Sequence, residues 1–452
     1  MSRGGFHTIT LGCKLNQFDS AGIEGELLRR GLRREEDPAA ASVVVINTCT
    51  VTARADAEAR KLIRRVRRAN PDCRLLVTGC YAELDADAIL ETAPVDRVVG
   101  NRAKTEIPRI LDEMEIGEPS GERTPMRPAV PLARDSSTVA GDHGCDWPST
   151  LPSAVDFGDR ARAFLKVQDG CDLVCSYCVI PQVRGPGRSV PPAEVEHALE
   201  ALVRSGYREI VLTGVNTGDY GRDLAPRVGL RQLLDRLLER CGPTRIRLNS
   251  LEPLTVTDEI VELMAEEPRL APHLQIPLQS GSDTVLRGMR RNYRRATWLD
   301  RVERLRAAVP DIGLGADVIV GFPGETDACF DETYRFIDDS PLSYLHVFSW
   351  SARPGTPAAE MPHAPAPEAI RERSARLRTL GRRLSHRFRK RFEGRRLDAV
   401  VLGERRSDGR LRALTGNFIE VAIEPGAAPG GELVTVEVLR AFPDETLGRR
   451  VD

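Results

Sequence analysis

Apolar positions along the chain fall into short runs separated by longer amphipathic stretches. Phe6–Leu11, Val43–Ile46 and Leu75–Thr78 are apolar or β-branched runs that stop at polar or glycine turns and read as strands. Ser20–Arg30, closed by Gly31, and Ala55–Ala69, closed by Asn70 and Pro71, carry helical spacing. Strands alternating with helices predict a parallel sheet. This pattern lasts to about Asp112 and dissolves over 113–159, where Pro, Gly, Ser and Asp dominate and a flexible linker or lid is expected.

Alternation resumes at Arg160. Phe164–Val167, Glu209–Leu212, Arg245–Leu248, Leu274–Leu278, Gly315–Val320 and Leu345–Ser349 read as strands. The helix from Pro192 puts Val195, Ala198, Leu199, Leu202 and Val203 on one face and ends at Gly206. Six β/α units imply a partial or open barrel with its chemistry at the carboxyl ends of the strands. An amphipathic helix follows over Pro367–Phe392, with Leu377, Leu380, Leu384 and Phe388 in register. Leu397–Leu402, Leu411–Thr415, Phe418–Ile423 and Leu433–Leu439, punctuated by Gly and Pro, predict a small β-barrel of the oligonucleotide-binding type. The expected class is α/β: a parallel α/β domain over 1–112, the linker over 113–159, a partial (β/α)6 barrel with its helix over 160–392, and a β-barrel over 393–452.

Composition narrows this little. The chain has 452 residues, a formal net charge of -1 and ten cysteines. A near-neutral total neither favours nor excludes nucleic acid, because a basic patch can hide within it. No stretch reads as a signal peptide or a membrane span, so a cytoplasmic location without membrane contact is expected. In a reducing compartment, clustered cysteines point to metal or catalysis rather than disulfides.

Two cysteine sets carry the candidate chemistry. Cys171, Cys175 and Cys178 are spaced CxxxCxxC on one loop. Three thiolates so placed can each hold one iron of a [4Fe–4S] cube and leave the fourth iron open. A zinc knuckle would show paired CxxC units or nearby histidines, and this loop has neither. The second set is dispersed: Cys13, Cys49 and Cys80 each follow the end of a predicted strand. The carboxyl ends of parallel strands share one edge, where ligands bind, so the three converge there in a second three-cysteine site. Gly12 and Gly79 allow sharp turns and close approach. Cys73, at the start of a strand, belongs to the opposite edge, and Cys145, inside the linker, reads as a spare thiol.

The CxxxCxxC loop resembles the signature of radical S-adenosylmethionine enzymes. The resemblance implies that S-adenosylmethionine binds the open iron, with Tyr177 near its adenine. It also implies that the strand ends Thr213-Gly214, Ser250 to Glu252, Gln279 to Ser282 and Gly321 to Glu325 surround the cofactor. Thr213, Gly214, Ser250, Glu252, Gln279 and Gly321 are the candidate contacts, Glu252 and Gln279 being the polar ones for cofactor or substrate. Arg353 matches a family motif in which phosphate contact and loop fixing are both open. The wording Thr10-Leu-Gly-Cys-Lys-Leu-Asn-Gln17, Asn47-Thr-Cys49 and Thr78-Gly-Cys80, taken with this loop, is similar to the methylthiotransferases, and the likeness covers nearly the whole chain.

That likeness implies two [4Fe–4S] clusters and S-adenosylmethionine, a 5′-deoxyadenosyl radical generated at the first cluster, and sulfur presented at the second. The implied product is a methylthio group on C2 of an adenosine. The first motif looks like enzymes acting on N6-threonylcarbamoyladenosine beside the anticodon of tRNA (position 37). The alternatives are the N6-isopentenyladenosine branch, a branch that modifies a ribosomal protein, and a non-catalytic iron–sulfur protein that binds RNA. The C-terminal strands resemble the TRAM domain, an RNA-binding module. Expected partners are the tRNA anticodon stem-loop, a reducing electron donor and a sulfur donor that the sequence does not name. The basic run Gly288–Arg295 reads either as a solvated helix end or as an RNA contact. Arg382, Arg383, Arg387, Arg389 and Arg391 form a candidate phosphate-facing cluster.

Overall fold

A computed structural model of the chain describes residues 4–114, 151, 155, 157–158, 160–426 and 428–451. Cys145 and nearly all of the expected linker lie outside the described residues. The chain divides into two compact units, Met1–Asp156 with Val179–Pro186, and Phe157–Cys178 with Gly187–Asp452. The short segment Val179–Pro186 therefore groups with the first unit, which no pattern in the sequence foreshadows.

The first unit is a three-layer α/β structure. Its five-stranded sheet runs Arg33–Arg34, Gly5–Thr10, Val43–Thr48, Arg74–Gly79, Arg97–Val99, and every pair is parallel. Val43–Thr48 lies at the centre and is buried throughout, which explains the apolar run Val43–Ile46. Val43 and Val45 point into one layer, with Ile23, Leu27, Ile107, Ile110 and Leu111. Val44 and Ile46 point into the other, with Ala59, Leu62, Ile63, Val66 and Ile89. Each buried Val or Ile contributes about 1.5–3 kcal/mol. The helix Ala53–Ala69 starts two residues before the expected Ala55, with the Thr52 side chain accepting from Ala55 N. The helix Lys14–Arg29 starts earlier than its apolar spacing predicts, directly after Cys13.

The second unit contains six parallel strands: Ala163–Lys166, Glu209–Thr213, Arg245–Arg247, His273–Gln275, Gly313–Val320 and Tyr344–Ser349. The first three form one ladder and the last three another, with a parallel bridge from Ile246 to Leu270 between them. Spatial order follows chain order, as the β/α count predicts, and among the described residues no ladder joins the first strand to the last. The fourth strand is shorter than expected because Pro277 lacks an N–H, although Leu278 N still reaches Asp317 O at 3.2 Å. An antiparallel pair, Gln168–Asp169 with Arg188–Ser189, closes the base of the CxxxCxxC loop.

Five strands, Arg396–Arg405, Leu411–Thr415, Glu420–Ile423, Thr446–Arg450 and Leu433–Ala441 in spatial order, close a small barrel. The fourth of these is absent from the sequence reading. The helix Pro367–Lys390 packs against Tyr344–Ser349, and Phe388 and Phe392 enter the core of the small barrel. Arg389 is a correction to the phosphate-facing cluster: it is buried, and its guanidinium donates to Glu445 O at 2.7 Å and Thr446 Oγ1 at 2.9 Å. Arg382, Arg383, Arg387 and Arg391 remain exposed. Beneath the barrel, fully buried Glu209 accepts from Arg245 Nε at 2.7 Å and Arg247 Nε at 2.9 Å. The same two arginines reach the small barrel, Arg245 at Asp398 O (3.1 Å) and Leu414 O (3.3 Å), Arg247 at Gly416 O (2.8 Å) and Thr415 O (3.1 Å). No described helix is long and apolar enough to cross a membrane.

Candidate functional site

In the first unit, three adjacent parallel strands deliver the three dispersed cysteines. Cys13 caps the helix Lys14–Arg29, Cys49 follows Val43–Thr48, and Cys80 opens the helix Cys80–Leu84 after Arg74–Gly79. Gly12 has φ +97°, and a Cβ there would stand 2.6 Å from Cys49 Cβ and 2.9 Å from its Sγ. Gly79 has φ +104°, and a Cβ would meet the Thr48 backbone at 2.3 Å. Only glycine permits these turns and this approach. Burial pushes the Cys49 thiol up to about 11; the Val51 N–H opposes this, and Cys80 and Cys13 add to it. Cys13 is exposed, whereas Cys49 and Cys80 are buried.

A buried polar network fixes the spacing. Asn16 Nδ2 donates to Leu11 O at 2.8 Å and Thr48 O at 2.9 Å, tying the ends of two strands together. Asn47 Nδ2 donates to Asn16 O at 2.9 Å and Ser20 Oγ at 3.0 Å. Arg184 Nη2 donates to Asn16 Oδ1 at 2.6 Å, and Asn101 Nδ2 approaches Cys80 Sγ at 3.4 Å. Cys73 is buried in the sheet core with its Sγ 3.3 Å from Asn70 O, apart from this edge as expected.

In the second unit, the CxxxCxxC loop is pinned through Ser176. Its N–H donates to Met289 O at 3.0 Å, and its carbonyl accepts from Ala358 N at 2.8 Å. Tyr177 packs on Val285, Met289, Phe322 and Ala358. Leu173 N donates to Cys171 Sγ at 3.4 Å. Burial pushes the Cys171 thiol up to about 11, and Cys175, Glu252 and Asp219 raise it further. Arg291 Nη1 lies 3.1 Å from Cys175 Sγ and its Nη2 pairs with Glu252. The basic run Gly288–Arg295 is therefore corrected in part. Arg291 and Tyr293 are buried, the Tyr293 hydroxyl donating to Pro277 O at 2.9 Å, while Arg290 and Arg294 are exposed.

Thr213, Gly214, Ser250, Gln279 and Gly321 stand at or just beyond the carboxyl ends of successive strands, along one rim. Ser250 and Gln279 hold left-handed backbone, φ 58° and 61°. Non-glycine residues there cost roughly 1–3 kcal/mol each and persist where surrounding structure enforces them. Thr217 N donates to Ser250 O at 3.1 Å, and Gly321 N to Glu325 Oε1 at 3.1 Å. Arg353 is buried. Among the described residues, Thr213 Oγ1, Asn216 Oδ1 and Ser282 Oγ are buried at this rim without a hydrogen-bond partner. Such orphans cost about 1–3 kcal/mol apiece unless a ligand satisfies them.

Residues 165–337 match the family described as the Radical SAM superfamily, and residues 5–100 match Uncharacterized protein family UPF0004. Over 445 residues the chain is 37% identical to the threonylcarbamoyladenosine tRNA methylthiotransferase MtaB of Bacillus subtilis, covering 98% of this chain and 94% of that one. It is 36% identical over 458 residues to the tRNA-2-methylthio-N(6)-dimethylallyladenosine synthase of Acidothermus cellulolyticus, covering 98% and 88%. The chain belongs to the radical SAM methylthiotransferase family. Two structures of the radical S-adenosylmethionine methyltransferase TsrM from Kitasatospora setae are similar in fold. Their TM-scores are 0.53 and 0.54 at 17% identity, covering 78% and 79% of this chain and 74% of theirs.

Membership implies a [4Fe–4S] cluster and S-adenosylmethionine, and the loop of this methylthiotransferase fits them. Its donor set is three thiols, with an N–H at Cys171 and a guanidinium at Cys175 to stabilise thiolate charge. Orphaned rim atoms await polar ligand groups. Among the described residues no group of His, Cys, Asp or Glu is gathered to hold a single metal ion. A cube asks for something different, one thiolate at each of several irons. Sequence reasoning missed Asn16, Asn47, Arg184, Asn101 and Arg291. Asn16 and Asn47 lie inside the quoted motifs; Arg184, Asn101 and Arg291 act through partners remote in sequence.

Proposed function

We propose that the chain is a tRNA methylthiotransferase that places a methylthio group on C2 of N6-threonylcarbamoyladenosine beside the anticodon. Cys171, Cys175 and Cys178 are assigned to the cluster that carries S-adenosylmethionine, and Cys13, Cys49 and Cys80 to an auxiliary cluster that carries sulfur. The observation that carries the reaction type is that each unit has its own cysteine trio: Cys13, Cys49 and Cys80 delivered by three adjacent strands in one, and the CxxxCxxC loop in the other. When bound, the clusters and S-adenosylmethionine supply the one-electron chemistry that an unactivated aromatic C–H demands.

The chain's own residues do the rest. Arg291 stabilises the Cys175 thiolate and orients Glu252. Thr213, Gly214, Ser250, Glu252, Gln279 and Gly321 are assigned to hold the cofactor along the rim, and Tyr177 to pack near its adenine. The work divides as the sequence limits suggest: sulfur presentation over 1–112, the radical step over 160–392, and RNA contact by a TRAM-like barrel over 393–452. The small barrel and exposed Arg382, Arg383, Arg387 and Arg391 suit a single-stranded loop with splayed bases.

The choice of substituent rests on the wording Thr10-Leu-Gly-Cys-Lys-Leu-Asn-Gln17. Relatives named for threonylcarbamoyladenosine and for dimethylallyladenosine differ by one percentage point of identity, 37% and 36%. Mass spectrometry of tRNA nucleosides from a deletion strain tests the reading. Disappearance of 2-methylthio-N6-threonylcarbamoyladenosine alone supports it; loss of the isopentenyl nucleoside instead overturns it.

A further inference from the structure

Gln275, Asp317 and His346 form a polar group inside the six-stranded barrel that the cofactor assignments leave unused. Side chains alternate along a strand, so Tyr344, His346 and Phe348 share one face of the last strand, and Leu345 and Val347 the other. Leu345 faces the long helix: a Cβ at Gly381 would stand 3.3 Å from Leu345 Cβ. His346 therefore faces the hollow. Asp317 is its register partner on the neighbouring strand, and Gln275 is the partner of Gly315 one strand further on.

The Asp317 carboxylate orients both neighbours. It accepts from His346 Nδ1 at 3.1 Å and from Gln275 Nε2 at 2.5 Å. With those atoms engaged, His346 Nε2 and Gln275 Oε1 are turned to other partners, and the His346 side chain is 47% exposed. The group lies just below the rim. Gln279 N donates to Asp317 O at 2.8 Å, and the Asp317 charge is felt at Glu252. A half-exposed pair of this kind adds little to stability. Phe348, 42% exposed on the same face, adds an apolar wall.

We propose that His346 and Gln275, positioned by Asp317, recognise the polar substituent on N6 of the target adenosine. This rests on the threonylcarbamoyl reading above and names the residues that would enforce it. A threonylcarbamoyl group carries a urea, a hydroxyl and a carboxylate, whereas a dimethylallyl group is wholly hydrocarbon. With Nδ1–H given to Asp317, Nε2 of the neutral ring accepts from the hydroxyl, Nε2–H of the imidazolium form donates to the carboxylate, and Gln275 Oε1 accepts from a urea N–H. An anion at Nε2 is separated from the Asp317 carboxylate by the width of the ring. A hydrocarbon in the same place would leave both polar ends unpaired, so one set of contacts accepts the first substituent and rejects the second.

The test compares anticodon stem-loops bearing threonylcarbamoyladenosine, isopentenyladenosine or plain adenosine, with wild type, His346→Leu and His346→Gln. Reconstituted wild type first establishes which loop is methylthiolated; preference for the isopentenyl loop would sink the substrate reading and this inference together. If the threonylcarbamoyl loop is preferred, His346→Leu should lower kcat/KM for it by roughly tenfold to a hundredfold. His346→Gln, which keeps a donor, should recover part of that. Fluorescence anisotropy gives a readout independent of turnover: the affinity advantage of the threonylcarbamoyl loop over plain adenosine should shrink in His346→Leu. An unchanged advantage and unchanged kcat/KM overturn the inference alone. Loss of RNA-free 5′-deoxyadenosine formation in step with methylthiolation would put His346 against the cofactor instead, and would also overturn it.

Discussion

Arg291 Nη1 stands 3.1 Å from Cys175 Sγ, while the other terminal nitrogen of the same guanidinium pairs with Glu252. The guanidinium also lies over the Tyr293 ring, 4.9 Å from its centroid. One buried cation thus serves a thiol of the CxxxCxxC loop, a rim carboxylate and an aromatic ring. Arg291→Met should cost about 3–5 kcal/mol, because it leaves the mostly buried Glu252 carboxylate without its cation. Urea unfolding of the metal-free protein measures this. The double variant Arg291→Met with Glu252→Leu should regain part of the loss; equal loss in single and double variants would mean that the pair is not coupled.

The two cysteine sets should separate in function. Cys175→Ala is expected to abolish 5′-deoxyadenosine formation. Cys49→Ala should retain RNA-free cleavage of S-adenosylmethionine yet yield no methylthiolated RNA. Gly12→Val should mimic Cys49→Ala without removing a ligand, since left-handed backbone alone costs about 1–2 kcal/mol and the new side chain collides with Cys49. Iron and sulfide assays after anaerobic reconstitution should fall by one cube in both. Normal product from Cys49→Ala would remove the auxiliary site from the mechanism.

Acid should loosen the second unit through Glu209. Burial alone would raise its carboxyl, but the guanidinium groups of Arg247, Arg245 and Arg162 hold it well below the ordinary carboxylate range. The folded value lies below the unfolded one, so its stabilisation is complete above the unfolded glutamate value of about 4.3 and is lost as pH falls beneath it. Glu209→Gln should cost about 3–5 kcal/mol at neutral pH and flatten the acid dependence of the urea midpoint. An equally steep acid slope in the variant would assign the effect to other groups.

The exposed arginines of the long helix should act through salt. Each of Arg382→Ala and Arg387→Ala is expected to weaken stem-loop binding and lower the slope of log K against log salt by about 0.7. Arg389→Ala should instead lower thermal stability, since its guanidinium caps buried acceptors at Glu445 and Thr446. Identical salt slopes in all three variants would place the RNA elsewhere.

Much of this was readable in advance wherever local pattern decides the outcome. Val43–Ile46 is apolar because both its faces are covered, and the strand runs on to Thr48, so that Cys49 stands one step beyond its end at the shared edge. The start of the helix Lys14–Arg29 was not readable, because its buried residues mix polar and apolar, Asn16 and Ser20 lying beside Leu15 and Phe18. Asn16 and Ser20 are buried there and hydrogen-bonded, and they interrupt the apolar period that Leu15 and Phe18 would begin. Thr446–Arg450 escaped for a similar reason: its place is set by pairing with Leu433–Ala441 and not by its own composition. Arg291 reads from the sequence as part of a basic run, either solvated or RNA-facing, and only Glu252 and Cys175, both distant in sequence, make it an interior residue.

The arginines that reach from the six-stranded barrel into the small one carry a warning for experiment. Removing the chain beyond Arg395 would take away the carbonyls of Asp398, Leu414, Thr415 and Gly416 on which Arg245 and Arg247 end. A shortened enzyme that no longer modified RNA would then be uninformative about where RNA binds, since its catalytic half would have been unroofed in the same stroke. Point changes on the outer surface of the small barrel are the cleaner instrument.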